Sequence, residues 1–234
     1  MVVELVPMRF QSFTGLHFGL LAFFLVVFVG LVALGRRRGD SERFRRTWAL
    51  VILCFTIPLQ ILQLLPSDFT MGTSLPLQYC DLAWMTAVVA LWTRWRWAVA
   101  LTFFWGLTLT TQALLTPSLG QDFPDPRFFM YWGMHFLSVW AAGWLAATGG
   151  TPNWRDYRFA VAVTAAWAAF VMVFNELTGT NYGYLNRKPS SASILDLLPG
   201  WPVYVVIEIA LVAGVWALLT LLFSPPGSRA PGSG

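Results

Sequence analysis

Charged residues make up only 11% of this 234-residue chain, against the roughly 25% usual in soluble domains. That shortage excludes an ordinary water-soluble enzyme. Cysteine and histidine are scarce as well, with two of each. Cys54 and Cys80 both fall in apolar segments, and there is no Cys-x-x-Cys. His17 and His135 are far apart. These absences argue against a disulfide framework and a metal centre, and no cofactor is expected. The net charge is only +4, and the arginines lie where membrane topology accounts for them, so no nucleic-acid partner is expected.

What is present in abundance is apolar. Hydrophobic residues reach 57% and there are 13 tryptophans, a composition that suits bilayer spans and aromatic belts. A span needs about 20 apolar residues. Seven stretches qualify: 13–35, 47–66, 76–93, 97–116, 127–147, 158–178 and 202–223. The expectation is an all-α, polytopic bundle of seven transmembrane helices in a single domain over 1–223, followed by a disordered, Pro/Gly/Ser-rich tail over 224–234. Pro76 and Pro202 are read as first-turn residues, with Ser74 as a cap for the third helix. Pro58 is expected to kink the second helix and free the Cys54 carbonyl. The first segment lacks a basic leader and is too long for a cleaved signal, so it reads as a true span.

Eleven basic residues, among them Arg36, Arg37, Arg38, Arg94, Arg96, Arg155 and Arg229, fall on one side of the membrane, and only Arg9, Arg127, Arg187 and Lys188 on the other. The positive-inside rule then puts the N-terminus outside and the C-terminus in the cytoplasm of a multi-pass plasma-membrane protein.

The polar residues inside these segments are not scattered. His17, Gln60, Gln63, Gln78, Asp81, Gln112, His135, Asn175, Glu176 and Glu208 all lie in the extracytoplasmic halves, with Cys80 among them. Ionisable side chains are costly in lipid, at least ~2.5 kcal/mol at mid-bilayer, so they face the bundle interior and mark a cavity. Cys80 lies a little more than one turn inside the start of the third helix. As a lone cysteine it also suits the part of a small apolar packer. His135 sits at a matching depth in the fifth helix, with Tyr131 and Ser138 on its face, and a thiol with a histidine base is the minimal nucleophile pair. Asp81 either orients His135, pairs with a cation, or bonds a neighbouring helix. Glu208 needs protonation or a partner, with Arg187, Lys188 and His17 as candidates. Gln78, Gln112 and Asn181 complete the supporting polar cluster.

The stretch 179–201 is too long for a plain connector. Its aromatic residues and its run of Ile194, Leu195, Leu197 and Leu198 suggest a re-entrant or interfacial segment. Arg187 and Lys188 within it are candidate phosphate contacts.

Three stretches carry a family resemblance: Leu75-Pro-Leu-Gln-Tyr-Cys80, the region around His135, and Asn181-Tyr-Gly-Tyr-Leu-Asn-Arg-Lys-Pro189 followed by Leu195-Asp-Leu-Leu-Pro-Gly-Trp-Pro-Val-Tyr204. On these the chain resembles the YwaF-like bacterial integral membrane proteins, which are related to animal transmembrane protein 164. The resemblance implies a polytopic helical bundle and, from the animal relatives, cysteine-dependent acyl transfer on phospholipids, with Cys80 and His135 on the matching positions. Gln78 stands where many relatives are expected to carry a histidine, which removes a base from that position.

The resulting expectation is a membrane enzyme, an acyltransferase or acyl hydrolase, with Cys80 as nucleophile, His135 as base, Arg187 and Lys188 as headgroup ligands and membrane lipids as partners. A small-solute or proton-coupled transporter built on Asp81 and Glu208, or a structural or sensory protein, are the alternatives. Oligomeric state is left open.

Overall fold

The computed structural model describes residues 10–189 and 194–224. Among them the regular structure is helical, and seven helices follow the seven apolar stretches: α1 Gly15–Arg38, α2 Glu42–Leu64, α3 Tyr79–Thr93, α4 Arg96–Leu115, α5 Pro126–Ala147, α6 Trp154–Thr178 and α7 Val203–Phe223. Their ends carry ordinary signals. Thr14 and Ser41 cap α1 and α2 with their hydroxyls, Asn153 caps α6 with its amide oxygen, and Asp125 precedes Pro126 at the start of α5. The helix α2 runs through Pro58. Of the expected disordered tail only Ser224 is described, its hydroxyl donating to the Pro152 carbonyl at 3.2 Å; residues 225–234 and Arg9 lie outside the described residues.

The structure corrects the start of α3. Pro76 and Ser74 do not open this helix; it begins at Tyr79 behind Gln78. The Asp81 carboxylate reaches back to accept the Gln78 N–H at 2.9 Å, which fixes the first turn there. Ser74 is engaged elsewhere, its hydroxyl taking the Thr70 N–H at 2.9 Å and its carbonyl the Gln60 amide at 2.9 Å.

Among the described residues five helices are long and apolar enough to cross a membrane: α1, α2, α4, α6 and α7. The two that fall outside that group, α3 and α5, are enclosed by the others. The bundle is built round α5, against which α1, α2, α3 and α4 pack, while α6 and α7 lie beyond α4. Lipid tails are as apolar as leucine, so such helices are held by close packing rather than by hydrophobic exclusion. Small residues make that packing possible. Ala49, Ala87, Ala90 and Ala98 are fully buried, and Gly133 faces Phe55 so closely that a Cβ would lie 2.3 Å from its ring. Outward faces are apolar, as with Val26 and Val29 on α1 and Val206 and Leu221 on α7.

One end of the bundle is stitched by arginines. Arg45 pairs with Asp40 at 2.8 Å and also donates to the Leu91 carbonyl. Arg94 reaches the same aspartate at 3.1 Å and bonds Thr148. Arg96 forks onto Asp156 at 2.8 and 2.6 Å. At the opposite end α3 is too short. Its 15 residues extend only ~22 Å at 1.5 Å per residue, well under the ~30 Å of bilayer hydrocarbon. The missing length above its N-terminus is where the polar residues gather.

Candidate active site

A cavity of about 430 Å³ occupies that space, within the range of small-molecule sites. Its walls come from the starts of α3, α5 and α7, the ends of α2 and α4, the loop after α4, and the segment after α6. Cys80 stands in the first turn of α3, nearer the helix start than its sequence context suggested. Its Sγ lies 3.0 Å from His135 Nε2. His135 is buried in α5, and its Nδ1 bonds the Tyr131 carbonyl one turn earlier. A carbonyl can only accept, so Nδ1 carries the proton and Nε2 offers its lone pair to the thiol; this tautomer is assigned from the hydrogen-bond partners. Tyr131 is itself pinned, its hydroxyl donating to the Ala113 carbonyl at 2.6 Å.

Gln78 and Gln112 also line the cavity. The Gln78 carbonyl oxygen accepts the Gly183 N–H at 2.9 Å, so its amide donors remain for the cavity. Gln112 follows a widened π turn, Trp105–Thr110, that sequence reading did not anticipate. Such turns recur at functional sites because they shift the register of the residues beyond. Here the shifted residues Gln112 and Ala113 form the wall.

Glu208 lines the cavity from α7, with Oε2 buried and, among the described residues, without a hydrogen-bond partner. None of its expected partners reaches it. Arg187 donates to the Gly179 carbonyl at 3.1 Å, Lys188 to the Leu198 carbonyl at 2.7 Å, and His17 bonds the Leu114 carbonyl at 2.9 Å. Asp81 caps its own helix and has no recorded bond to His135. Asn181, Arg187 and Lys188 are not on the cavity wall. Asn181 instead holds the turn that follows it, donating to the Arg187 carbonyl at 2.7 Å and accepting the Arg187 N–H at 3.1 Å.

The segment after α6 covers the cavity because Asn175 folds it back. This buried amide makes four bonds: Nδ2 donates to Tyr182 O at 2.9 Å and Asn186 Oδ1 at 3.0 Å, and Oδ1 accepts Tyr182 N at 2.8 Å and Thr180 Oγ1 at 2.9 Å. Tyr182 is fully buried, and its hydroxyl donates to the Met71 carbonyl at 2.7 Å and accepts the Leu75 N–H at 3.1 Å. Burial pushes this phenol above its usual range, which keeps the donating proton in place. Next comes Gly183 at φ 66, where a Cβ would meet Trp167 at 2.6 Å. Tyr184, Pro189 and Leu195 then face the cavity, and the Tyr204 hydroxyl holds the Tyr184 carbonyl from α7.

Sequence reasoning passed over Arg127 as a cavity residue, although it lies four and eight residues before Tyr131 and His135 on one helical face. Tyr184 and Met134 on the wall were also passed over; aromatic and methionine residues in an apolar chain carry no distinguishing signal.

Comparison with known families decides the lineage. The TMEM164 family matches residues 12–220. The chain belongs to the TMEM164 family. It is a membrane protein with several candidate spans, as that membership and the apolar helices require. The relationship to transmembrane protein 164 read from the sequence is thereby borne out; the YwaF label is not part of the match. No curated protein and no solved structure matches this TMEM164-family chain.

Proposed function

We propose that this protein is a lipid acyl-transferring or acyl-hydrolysing enzyme in which Cys80 is the nucleophile and His135 the base. The observation that carries the reading is the 3.0 Å approach of Cys80 Sγ to a histidine nitrogen whose proton is held on the other side of the ring. His135 Nε2 takes the thiol proton as sulfur attacks an ester carbonyl. The tetrahedral oxyanion is met by the Gln78 amide donors. Collapse breaks the ester C–O bond, and His135 returns the proton to the departing alcohol, leaving an acyl-thioester on Cys80. A second alcohol, or water, then attacks the thioester, giving its proton to His135, and sulfur leaves as the restored thiol. Asp81 is a positioning residue in this scheme, since it sets where α3 begins and therefore where Cys80 stands.

Membrane phospholipids fit as the ester source, because the cavity opens at one end of a bundle whose outer surface is apolar. On the positive-inside rule the arginine-stitched end is cytoplasmic, which puts the cavity on the extracytoplasmic side of the plasma membrane. A transport path would need polar lining in both halves, and the half beyond the cavity is filled by Ile52, Ala87, Ala90, Leu91 and Leu145.

The test is acyl-thioester formation with the purified protein in lipid nanodiscs, using a phospholipid bearing a radiolabelled acyl chain. Wild type and Cys54→Ala should retain label after denaturation, releasable by hydroxylamine; Cys80→Ala should retain none. His135→Ala should slow labelling about 100-fold or more, the usual worth of a positioned base. Undiminished labelling of Cys80→Ala would sink the assignment.

A further inference from the structure

The Cys80 cavity continues into a second chamber of about 320 Å³, which shares Gln63, Gln121, Arg127 and Met130 with it. Arg127 stands where the two meet and is half-buried. One Nη donates to the Asp68 carbonyl at 3.0 Å. Among the described residues no carboxylate lies within ion-pair distance of it, whereas Arg45, Arg46, Arg94 and Arg96 at the other end are all paired. A guanidinium held by one backbone bond, with donors to spare beside a cavity, is suited to an oxyanion. Gln63 adds a neutral donor that, among the described residues, meets only the weakly accepting Met130 sulfur at 3.0 Å.

The same chamber holds Asp68 and Asp125. Asp68 accepts the Ser67 hydroxyl at 2.8 Å, and Asp125 the Arg127 N–H at 2.7 Å. Two nearby carboxylates repel a dianion far more than a monoanion. Phosphate monoesters and inorganic phosphate carry close to two charges at neutral pH, because their second pKa is about 6; a phosphodiester carries one.

We propose that Arg127, with Gln63 and Gln121, forms a phosphodiester-binding subsite adjoining the Cys80 cavity. That the diester belongs to a membrane phospholipid, with its ester carbonyl reaching Cys80, rests on the acyl-transfer reading; the anion site itself does not. Arg187 and Lys188 line neither chamber and are not part of it.

The experiment is equilibrium binding of radiolabelled 1-palmitoyl-lysophosphatidylglycerol to the full-length protein in an uncharged maltoside. Arg127→Gln should weaken binding at least about tenfold, the worth of one charge-assisted hydrogen bond. Arg127→Lys, which keeps the charge, should recover part of that loss, and wild-type affinity should fall with added salt. Monopalmitoylglycerol, which lacks the phosphate, should bind wild type and Arg127→Gln alike. Competition by glycerophosphoglycerol would assign the site to a soluble diester rather than a lipid, and equal competition by inorganic phosphate would overturn the preference for a diester. Equal affinities for wild type and Arg127→Gln, or a loss confined to Arg187→Gln, would overturn the subsite. Should Arg127→Gln not fold, the lysine variant and the salt dependence decide, with full salt-independence counting against the proposal. Cys80→Ala separates the two readings, since Arg127-dependent binding by that variant stands whether or not Cys80 carries acyl groups.

Discussion

Asn175→Ala should open the cavity without touching it. The substitution removes four hydrogen bonds. Thr180 keeps a partner in Thr178, and the Asn186 amide still donates to the Met172 carbonyl. The Tyr182 N–H and C=O, however, are left without their bonds inside the protein. Each buried group stranded in this way costs about 1–3 kcal/mol, so the folded-back segment should lose about 3 kcal/mol or more. That corresponds to roughly a hundredfold change in the ratio of closed to open segment. Tyr184, Pro189 and Leu195 share the cavity wall with Cys80, so opening should bare the thiol. The assay is the rate of Cys80 modification by a charged, water-soluble methanethiosulfonate in a Cys54→Ala background, alongside thermal unfolding in the same detergent. Modification should accelerate by one to two orders of magnitude, with Asn175→Asp, which keeps the accepting oxygen, falling between. If Asn175→Ala reacts and melts as its parent does, Asn175 does not hold the segment over the site.

Further substitutions probe the rest of the frame. Gly183→Ala combines a left-handed backbone with a Cβ 2.6 Å from Trp167, and should destabilise by about 2 kcal/mol in thermal unfolding; an unchanged midpoint would refute the close approach. Arg45→Ala should cost about 2–3 kcal/mol because it strands the buried Leu91 carbonyl, whereas Arg46→Ala, which loses only an exposed i,i+4 pair with Glu42, should stay within about 0.5 kcal/mol. Comparable losses for both would mean that the interior bond is not formed. His17→Leu should reduce stability by about 1–2 kcal/mol through loss of its tie to Leu114 and leave Cys80 modification unaltered; slower or faster modification would put His17 in the cavity after all.

The number and order of helices were legible because each is announced by an apolar run, and the one-sided gathering of polar residues was legible because lipid tolerates none elsewhere. The start of α3 was misread, since Pro76 and Ser74 offer a standard opening and only the reach of Asp81 to Gln78 overrides it. The π turn in α4 has no proline to signal it. Matching depths for Cys80 and His135 could be counted along the chain, but their approach depends on α3 packing beside α5, which no periodicity encodes. Charge counting singled out Arg187 and Lys188 for being on the sparse side; it had no means of seeing that Arg127 lines the cavity and that those two do not.

The asymmetry of the bundle carries an electrical consequence. The Cys80 cavity and the chamber adjoining it lie at one end, and the interior of the other half is packed with alanine, leucine, isoleucine and tryptophan behind paired arginines. A membrane potential would therefore fall almost entirely across the dry half. The residues around Cys80 would sit at nearly the potential of the medium they open to. On the acyl-transfer proposal, protons exchanged there would come and go on a single face, so that turnover would neither drain the gradient nor be driven by it.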